Sequence, residues 1–333
     1  MRRFFLLFTV VFLVAGCSGE PQIRFALEEV EGSVQDAYAQ RFKALIEERS
    51  EGRIKVNVYP YGALGSSAQL TEQVQNGALQ FAFASPGHLG SVVPEVQVFS
   101  LHFLFSDDEQ VNQQIFTGSG ELKRLLGEAY RERNLELLSI VQEGWMVWTG
   151  DRPLRSPSDF EGFKIRTMPS PLLVEAYQAY GANPTPMPYS EVYGALQLNM
   201  IDGQVNPIFA IEEMSFYEVQ EVLTFANHLP FVSTLVANPD FLAGLSESDR
   251  ELVESVRAEL DEEIFELQQR FNRERLETIR EESDIQVVRL VEEEREVFRD
   301  AAMPVRDSYI KSAGERGAVI LKAVTAARNR LEQ

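Results

Sequence analysis

The sequence predicts an α/β protein made of two sheet-and-helix layers. Three observations predict it. Strand-like and helix-like segments alternate along residues 23–84, the alternation returns over 135–198, and 333 residues are enough for about two domains of ordinary size.

After a short leader, residues 23–27 read as a strand. A helix follows, its start marked by Ser33 with Asp36 three residues on, a capping-box arrangement. Val34, Ala37, Tyr38, Phe42, Leu45 and Ile46 recur in it at helical spacing, and Gly52 ends it. Ile54, Val56 and Val58 alternate with polar residues as a strand, residues 59–67 form a Gly- and Pro-punctuated loop, a helix runs through Gln75, and 79–84 is the next strand. Such a rhythm implies a largely parallel sheet. Strands are expected again at 135–141 and 163–167, with helices at 172–180 and 191–198. From 246 to 282 Glu, Arg, Leu and Gln dominate at helical spacing, and a last helix is expected over 305–331. The acidic runs read as the solvated faces of long helices packed on a globular body, because their apolar residues do not keep strict heptads.

Composition removes several functions. Lys and Arg number 31 against 51 Asp and Glu, a net charge of -20 that repels nucleic acid. One cysteine excludes an intrachain disulfide framework and any CxxC site, and three histidines far apart in sequence argue against a metal centre. No cofactor or metal is expected. There is no GxSxG, GxxxxGK[ST], GxGxxG or HExxH motif, and none of His88, His102 and His228 falls in a catalytic motif of this kind. The chain is therefore expected not to be an enzyme.

Arg2 and Arg3 followed by an apolar run to Ala15 read as an export signal, too short to span a bilayer. Residues 13–17, Leu-Val-Ala-Gly-Cys, look like a bacterial lipobox. On that reading 1–16 is a lipoprotein signal peptide, Cys17 carries lipid, and 17–21 is a tether; a plain secretory signal is the alternative. The mature chain would be periplasmic and lipid-anchored. Loss of Arg2 and Arg3 takes the cations from 31 to 29 against 51 acids, so its net charge would be -22.

Residues 164–207 carry the binding argument. Arg166 falls at the end of an expected strand, where open α/β sheets place ligands, and a guanidinium fork can hold a carboxylate by two hydrogen bonds. The plain alternative is a surface ion pair. The proline-stiffened segment 181–188 leads into Tyr189, and a turn over 201–207 presents Asn206, as a ligand amide or as an ordinary turn residue.

With KIRTM (164–168), GANPTPMP (181–188), EVYGALQ (191–197) and IDGQVNP (201–207) at these separations, the chain resembles the solute-binding proteins of tripartite ATP-independent periplasmic (TRAP) transporters, the DctP family. YPYGALG (59–65) and NGALQ (76–80) extend the likeness over nearly the whole mature chain. The resemblance implies a two-lobed periplasmic-binding-protein fold with crossing hinge strands and a long helix. Lobe I would comprise 22–143 plus 231–272, and lobe II 144–230 plus 273–333. It implies that Arg166 holds a carboxylate, that Asn206 is its polar neighbour, that Tyr189 packs on the ligand, and that TRAP membrane permease subunits are the partners.

FALEEVEG (25–32), VQD (34–36) and SPG (85–87) are most similar to ectoine-binding members, in which an acid at the Glu28 position holds the cationic ring. A small carboxylate or zwitterion of the ectoine kind is the implied ligand; other organic acids are the alternative. Glu28 as a merely solvated carboxylate is the competing reading. Those members resemble one another in having phenylalanine at His88 and tryptophan at Tyr189, so this cage would be smaller and more polar. Relative to sialic-acid binders, Met146 replaces a second arginine and Ser85 a glutamate. Phe209 and Phe231 are read as completing an aromatic wall or as plain core residues. An exported enzyme on the same fold, and a structural lipoprotein binding protein partners, are the remaining alternatives.

Overall fold

The computed structural model describes residues 22–118 and 120–333; the signal peptide, Cys17 and the tether expected before them lie outside the described residues. Eleven strands make two sheets: β1 (Gln22–Ala26), β2 (Lys55–Tyr59), β3 (Phe81–Ala84), β4 (Glu136–Trp145), β5 (Val147–Gly150), β6 (Ile165–Thr167), β7 (Thr185–Pro186), β8 (Gly203–Asn206), β9 (Val222–Phe225), β10 (Pro230–Ala237) and β11 (Gln286–Arg289). One sheet runs β2-β1-β3-β10-β4 and the other β11-β9-β5-β8-β6-β7, which is the expected two-lobed α/β architecture.

Local signals account for the first lobe. Ser33 caps the helix Val34–Arg49 by accepting from the N–H of Asp36, whose carboxylate accepts from the N–H of Gly32 at 2.9 Å. Strand β3 alternates Phe81 and Phe83 on one face with Ala82 and Ala84 on the other, and the two sets enter different hydrophobic clusters. Phe25, Tyr38, Phe42, Phe81 and Phe83 interlock largely edge to face.

The expectation of largely parallel sheets needs a specific correction. Each sheet contains one strand antiparallel to both neighbours, β10 in the first and β5 in the second. In each case it is the strand that has just crossed from the other lobe. A strand entering from the opposite side meets the resident strands head to tail, so antiparallel pairing is the arrangement open to it. The two crossings lie side by side: Met146 N–H donates to Leu229 O at 2.9 Å, and Phe231 pairs with Gly144.

The helix Glu247–Glu282 spans both lobes. Val253, Val256, Leu260 and Ile264 are buried against the first lobe, and Ile279 lies in a cluster of the second. Its charged face is not wholly solvated, since Arg257 is buried between Glu254 and Asp261 and reaches Ser139. The helix Val305–Leu331, placed in lobe II from sequence, instead packs Tyr309, Ile320 and Val324 with Val96, Leu122 and Tyr130 of the first lobe. Its apolar stripe, broken at Gly314 (φ 66°), matches that larger apolar surface. Among the described residues no helix is long and apolar enough to cross a membrane, and no group of side chains could hold a metal ion.

Two histidines belong to the second lobe's core. The Trp148 indole N–H donates to Tyr177 Oη (3.0 Å), which also meets His228 Nε2 (3.2 Å), while Tyr180 Oη meets His102 Nδ1 (2.7 Å). Burial pushes the His102 imidazole down to about 3, so it is neutral at ordinary pH.

Gly144 lies in the first crossing with φ 135°, and a Cβ there would sit 2.6 Å from the Asn272 amide, which holds Glu143 O. Replacing Gly144 with alanine should cost about 1–3 kcal/mol from overpacking and backbone strain. A calorimetric melting temperature several degrees lower is expected; an unchanged one would show that this crossing yields freely.

Candidate functional site

The cleft between the sheets is lined from the first lobe by Glu28, Glu29, Tyr61, Ser67, Ser85 and His88. From the second come Arg166, Met168, Tyr189, Asn206 and Ala210, with Phe231 on the return crossing. The cavity it encloses is small, about 40 Å3. Glu28, Tyr61 and Ser85 follow the carboxyl ends of the neighbouring parallel strands β1, β2 and β3, and Arg166 and Asn206 stand at the carboxyl ends of the parallel pair β6 and β8. Both lobes thus turn the same edge of their sheets toward the gap, the edge where α/β proteins bind ligands.

Arg166 is 1% exposed. Its Nε and one Nη donate to Met187 O at 3.2 and 3.0 Å, so the stiff segment 181–188 supplies the carbonyl that fixes the guanidinium. Among the described residues no carboxylate lies within 4.0 Å of Arg166, which sets it apart from a surface ion pair. Burial lowers its pKa to about 10, with Tyr189 and Tyr61 opposing that shift, and it stays cationic. A buried cation without a counter-ion is costly until an anion joins it.

At the other side Glu28 is 8% exposed, and its Oε2 accepts from Ser85 N–H at 2.6 Å. Glu28 Oε1 has no hydrogen-bond partner in the protein and lies 3.5 Å from His88 Nδ1, which meets Ser85 Oγ at 2.9 Å. The merely solvated reading of Glu28 is therefore set aside: its carboxylate is buried, oriented and half-used. The cleft holds a cationic end and an anionic end, with Tyr61, Tyr189, Met168 and Phe231 supplying apolar surface.

The lobes touch across it. Tyr61 and Tyr189 meet edge to face with centroids 5.7 Å apart, and Ser85 Oγ lies 3.9 Å from Met168 Sδ. Tyr189 Oη donates to Ala210 O at 3.1 Å, and its ring packs edge to face on Phe216.

Of the eight ligand residues expected from sequence, Arg166, Asn206, Glu28, Tyr189, His88, Phe231 and Ser85 line this one cleft. Phe209 does not: it is fully buried in the first lobe's core cluster, its N–H donating to Asn272 Oδ1. Asn206 comes from the last residue of β8 rather than from a turn, paired with Val147 and donating to Gln204 Oε1. Tyr61 was not singled out from sequence. The available signal was its place in a Gly- and Pro-rich loop directly after an alternating strand. Glu29 also joins the lining, and adjacency to Glu28 was its only mark.

Comparison with known proteins gives a consistent picture. Residues 25–312 match the family described as bacterial extracellular solute-binding protein, family 7, or DctP. The chain is 43% identical over 299 residues to the ectoine-binding periplasmic protein TeaA of Halomonas elongata, covering 90% of this chain and 87% of that one. It is 40% identical over 316 residues to the ectoine/5-hydroxyectoine-binding periplasmic protein UehA of Ruegeria pomeroyi, covering 94% and 93%. The solved structure of the ectoine-binding protein of the TeaABC TRAP transporter of Halomonas elongata superposes with a TM-score of 0.90 at 42% identity, covering 93% of this chain and 99% of that one.

Because Arg166 is buried without a counter-ion, Arg166→Met should leave the melting temperature of the ligand-free protein unchanged or higher. A loss beyond about 2 kcal/mol, larger than an ordinary net hydrogen bond, would instead make the guanidinium a structural strut for Met187.

Proposed function

This chain belongs to the DctP family of bacterial extracellular solute-binding proteins, and on that premise we propose that it captures a compact zwitterion of the ectoine kind between its lobes and delivers it to TRAP membrane permease subunits. The observation that carries the reading is the pair of unspent charges across the cleft: Arg166, buried with no carboxylate partner, and Glu28, with one buried oxygen unpartnered. A molecule with a carboxylate at one end and a delocalised cation at the other answers both. Asn206 and Ser85 offer neutral hydrogen-bonding groups, and Tyr189, Tyr61 and Phe231 cover the ring between. His88 beside Glu28 adds a polar group at the cationic end, which suits a hydroxylated ligand as well as a plain one. On this reading binding proceeds without turnover, and bound ligand should be recovered chemically unchanged. Lobe I is residues 22–143 with 231–272, to which the C-terminal helix adds its packing; lobe II is 144–230 with the segment from 273 into the helix Glu292–Ala302. Closure is selected because only the closed form offers contacts from both lobes.

Isothermal titration of the full chain with ectoine tests this. Arg166→Ala should reduce affinity at least a hundredfold, and Glu28→Gln should weaken ectoine far more than a simple monocarboxylate. Equal losses for both ligands would remove Glu28 from the cationic end, and unchanged affinity in Arg166→Ala would remove the carboxylate clamp.

The mature protein is lipid-anchored through Cys17 in the same proposal, supported by the Leu-Val-Ala-Gly-Cys stretch. Cell fractionation should find the protein with membranes and Cys17→Ser in the soluble periplasmic fraction; a wild-type chain already soluble would refute the anchor.

A further inference from the structure

The second sheet carries more than one pair of strand ends on its ligand edge. β8 and β9 both pair antiparallel with β5, so they run the same way, and β11 runs parallel to β9. The carboxyl ends of β9 and β11, at Phe225 and Arg289, therefore lie on the edge that carries Arg166 and Asn206, with the crossing strand β5 between the two pairs. That strand divides one edge of the kind that binds ligands into two bays. The first bay is the solute cleft. The second is a separate cavity of about 330 Å3 that shares no lining residue with it.

Elements that join the lobes wall this second cavity. Gly144 and Trp145 come from the end of β4 at the first crossing, Asn227 from the approach to the second, and Arg273 and Leu276 from the helix Glu247–Glu282. Phe225 and Arg289 close it from the second lobe, and Glu109 from the first.

Its hydrogen-bond donors are largely unspent. Among the described residues Arg273 and Arg289 form no hydrogen bond and have no carboxylate within 4.0 Å, and the Asn227 amide and the Trp145 indole N–H have no partner either. Arg289 is set over the Phe225 ring, its guanidinium carbon 4.2 Å from the centroid, and its charged neighbour is another cation, Arg280. Glu109, the carboxylate of the wall, already accepts from the Gln269 amide at 2.8 Å and from the Gln268 amide at 3.4 Å. Two free guanidiniums against one engaged carboxylate make this bay locally positive in a chain whose net charge is -20. Trp145 and Leu276, each half-buried, line the same space with apolar surface.

We propose that the second bay is a ligand site in its own right, for a small organic anion with a flat unsaturated body: an aromatic or heteroaromatic carboxylate, its charge on Arg273 and Arg289 and its ring on Trp145 and Leu276. The volume is that of a small-molecule site, for which about 300–1,000 Å3 is usual. A guanidinium takes a carboxylate through two parallel hydrogen bonds, and an indole face covers a flat ring closely. Arginines that served only to solvate the surface would need neither the cavity nor the aromatic wall. An occupant would touch both crossings and the long helix without entering the solute cleft.

The test does not depend on which solute the cleft takes. Benzoate is the probe, titrated by calorimetry into the full chain carrying Arg166→Ala, which removes the guanidinium of the cleft. It should bind at a single site and alter tryptophan emission. The chain has two tryptophans and Trp148 is fully buried, so the change reports Trp145, and Trp145→Phe should lose it while benzoate still binds. Benzamide, the same ring without the charge, should bind about tenfold more weakly or worse. Cyclohexanecarboxylate, the same charge without the flat ring, should lose about threefold or more. Replacing both arginines, Arg273→Gln with Arg289→Gln, should cost at least about tenfold in benzoate affinity. Absence of benzoate binding in the Arg166→Ala chain, equal binding of benzoate and benzamide, or full affinity in the double variant would each overturn the proposal. The benzamide comparison changes no residue of the bay, so it decides the matter even where the double variant fails to fold.

Discussion

A guanidinium held out of water without a counter-ion is the constraint around which the second lobe is arranged. Arg166 needs its carbon stem walled in, which β7 and β8 do on either side of β6, and it needs a fixed acceptor, which the Met187 carbonyl provides. The prolines at 184, 186 and 188 limit the freedom of the backbone that carries this acceptor. A flexible loop would let the carbonyl drift and the arginine collapse onto one of the many carboxylates of a chain with net charge -20. Keeping the cation single is therefore a property of the scaffold as much as of the residue.

The first lobe answers with the opposite strategy. Its carboxylates are crowded rather than isolated, and backbone donors and Gln35 orient them. Glu28 faces the cleft with one oxygen spent on Ser85, while Glu29 and Glu143 face each other around the same glutamine. Two adjacent residues after one strand thus take different partners, Glu28 the Ser85 N–H and Glu29 the Gln35 N–H. The ligand end and the hinge end of the acidic surface are separated by a single peptide unit.

Much of this was legible along the chain where the cause is local. The Ser33 cap, the Phe/Ala alternation of β3 and the placement of Arg166 at a strand end follow from spacing of a few residues. What escaped depends on partners distant in sequence. Phe209 reads like a cleft aromatic until the helix carrying it packs on the first lobe; Asn206 reads like a turn residue until β8 finds β5. The antiparallel strands β5 and β10 follow from the crossings, and the C-terminal helix follows the larger apolar surface rather than its neighbours in sequence. The carboxyls are the clearest case, since Glu29 and Glu143 are ordinary among 51 acids until Gln35 bonds to both.

The crossing strand β10 also sets the order in which the protein can form. It lies between β3 and β4, which have no direct pairing, so the first sheet has a gap at its centre until residues 230–237 have been supplied. The helix that completes the same lobe's core arrives only with residues 305–331. A chain emerging amino end first through a secretion channel therefore cannot complete its first lobe early. Loop closure across some 150 residues must come before the central pairing is rewarded, which makes the lobe slow to form. That delay keeps the chain threadable during export and defers folding to the compartment where the solute is met.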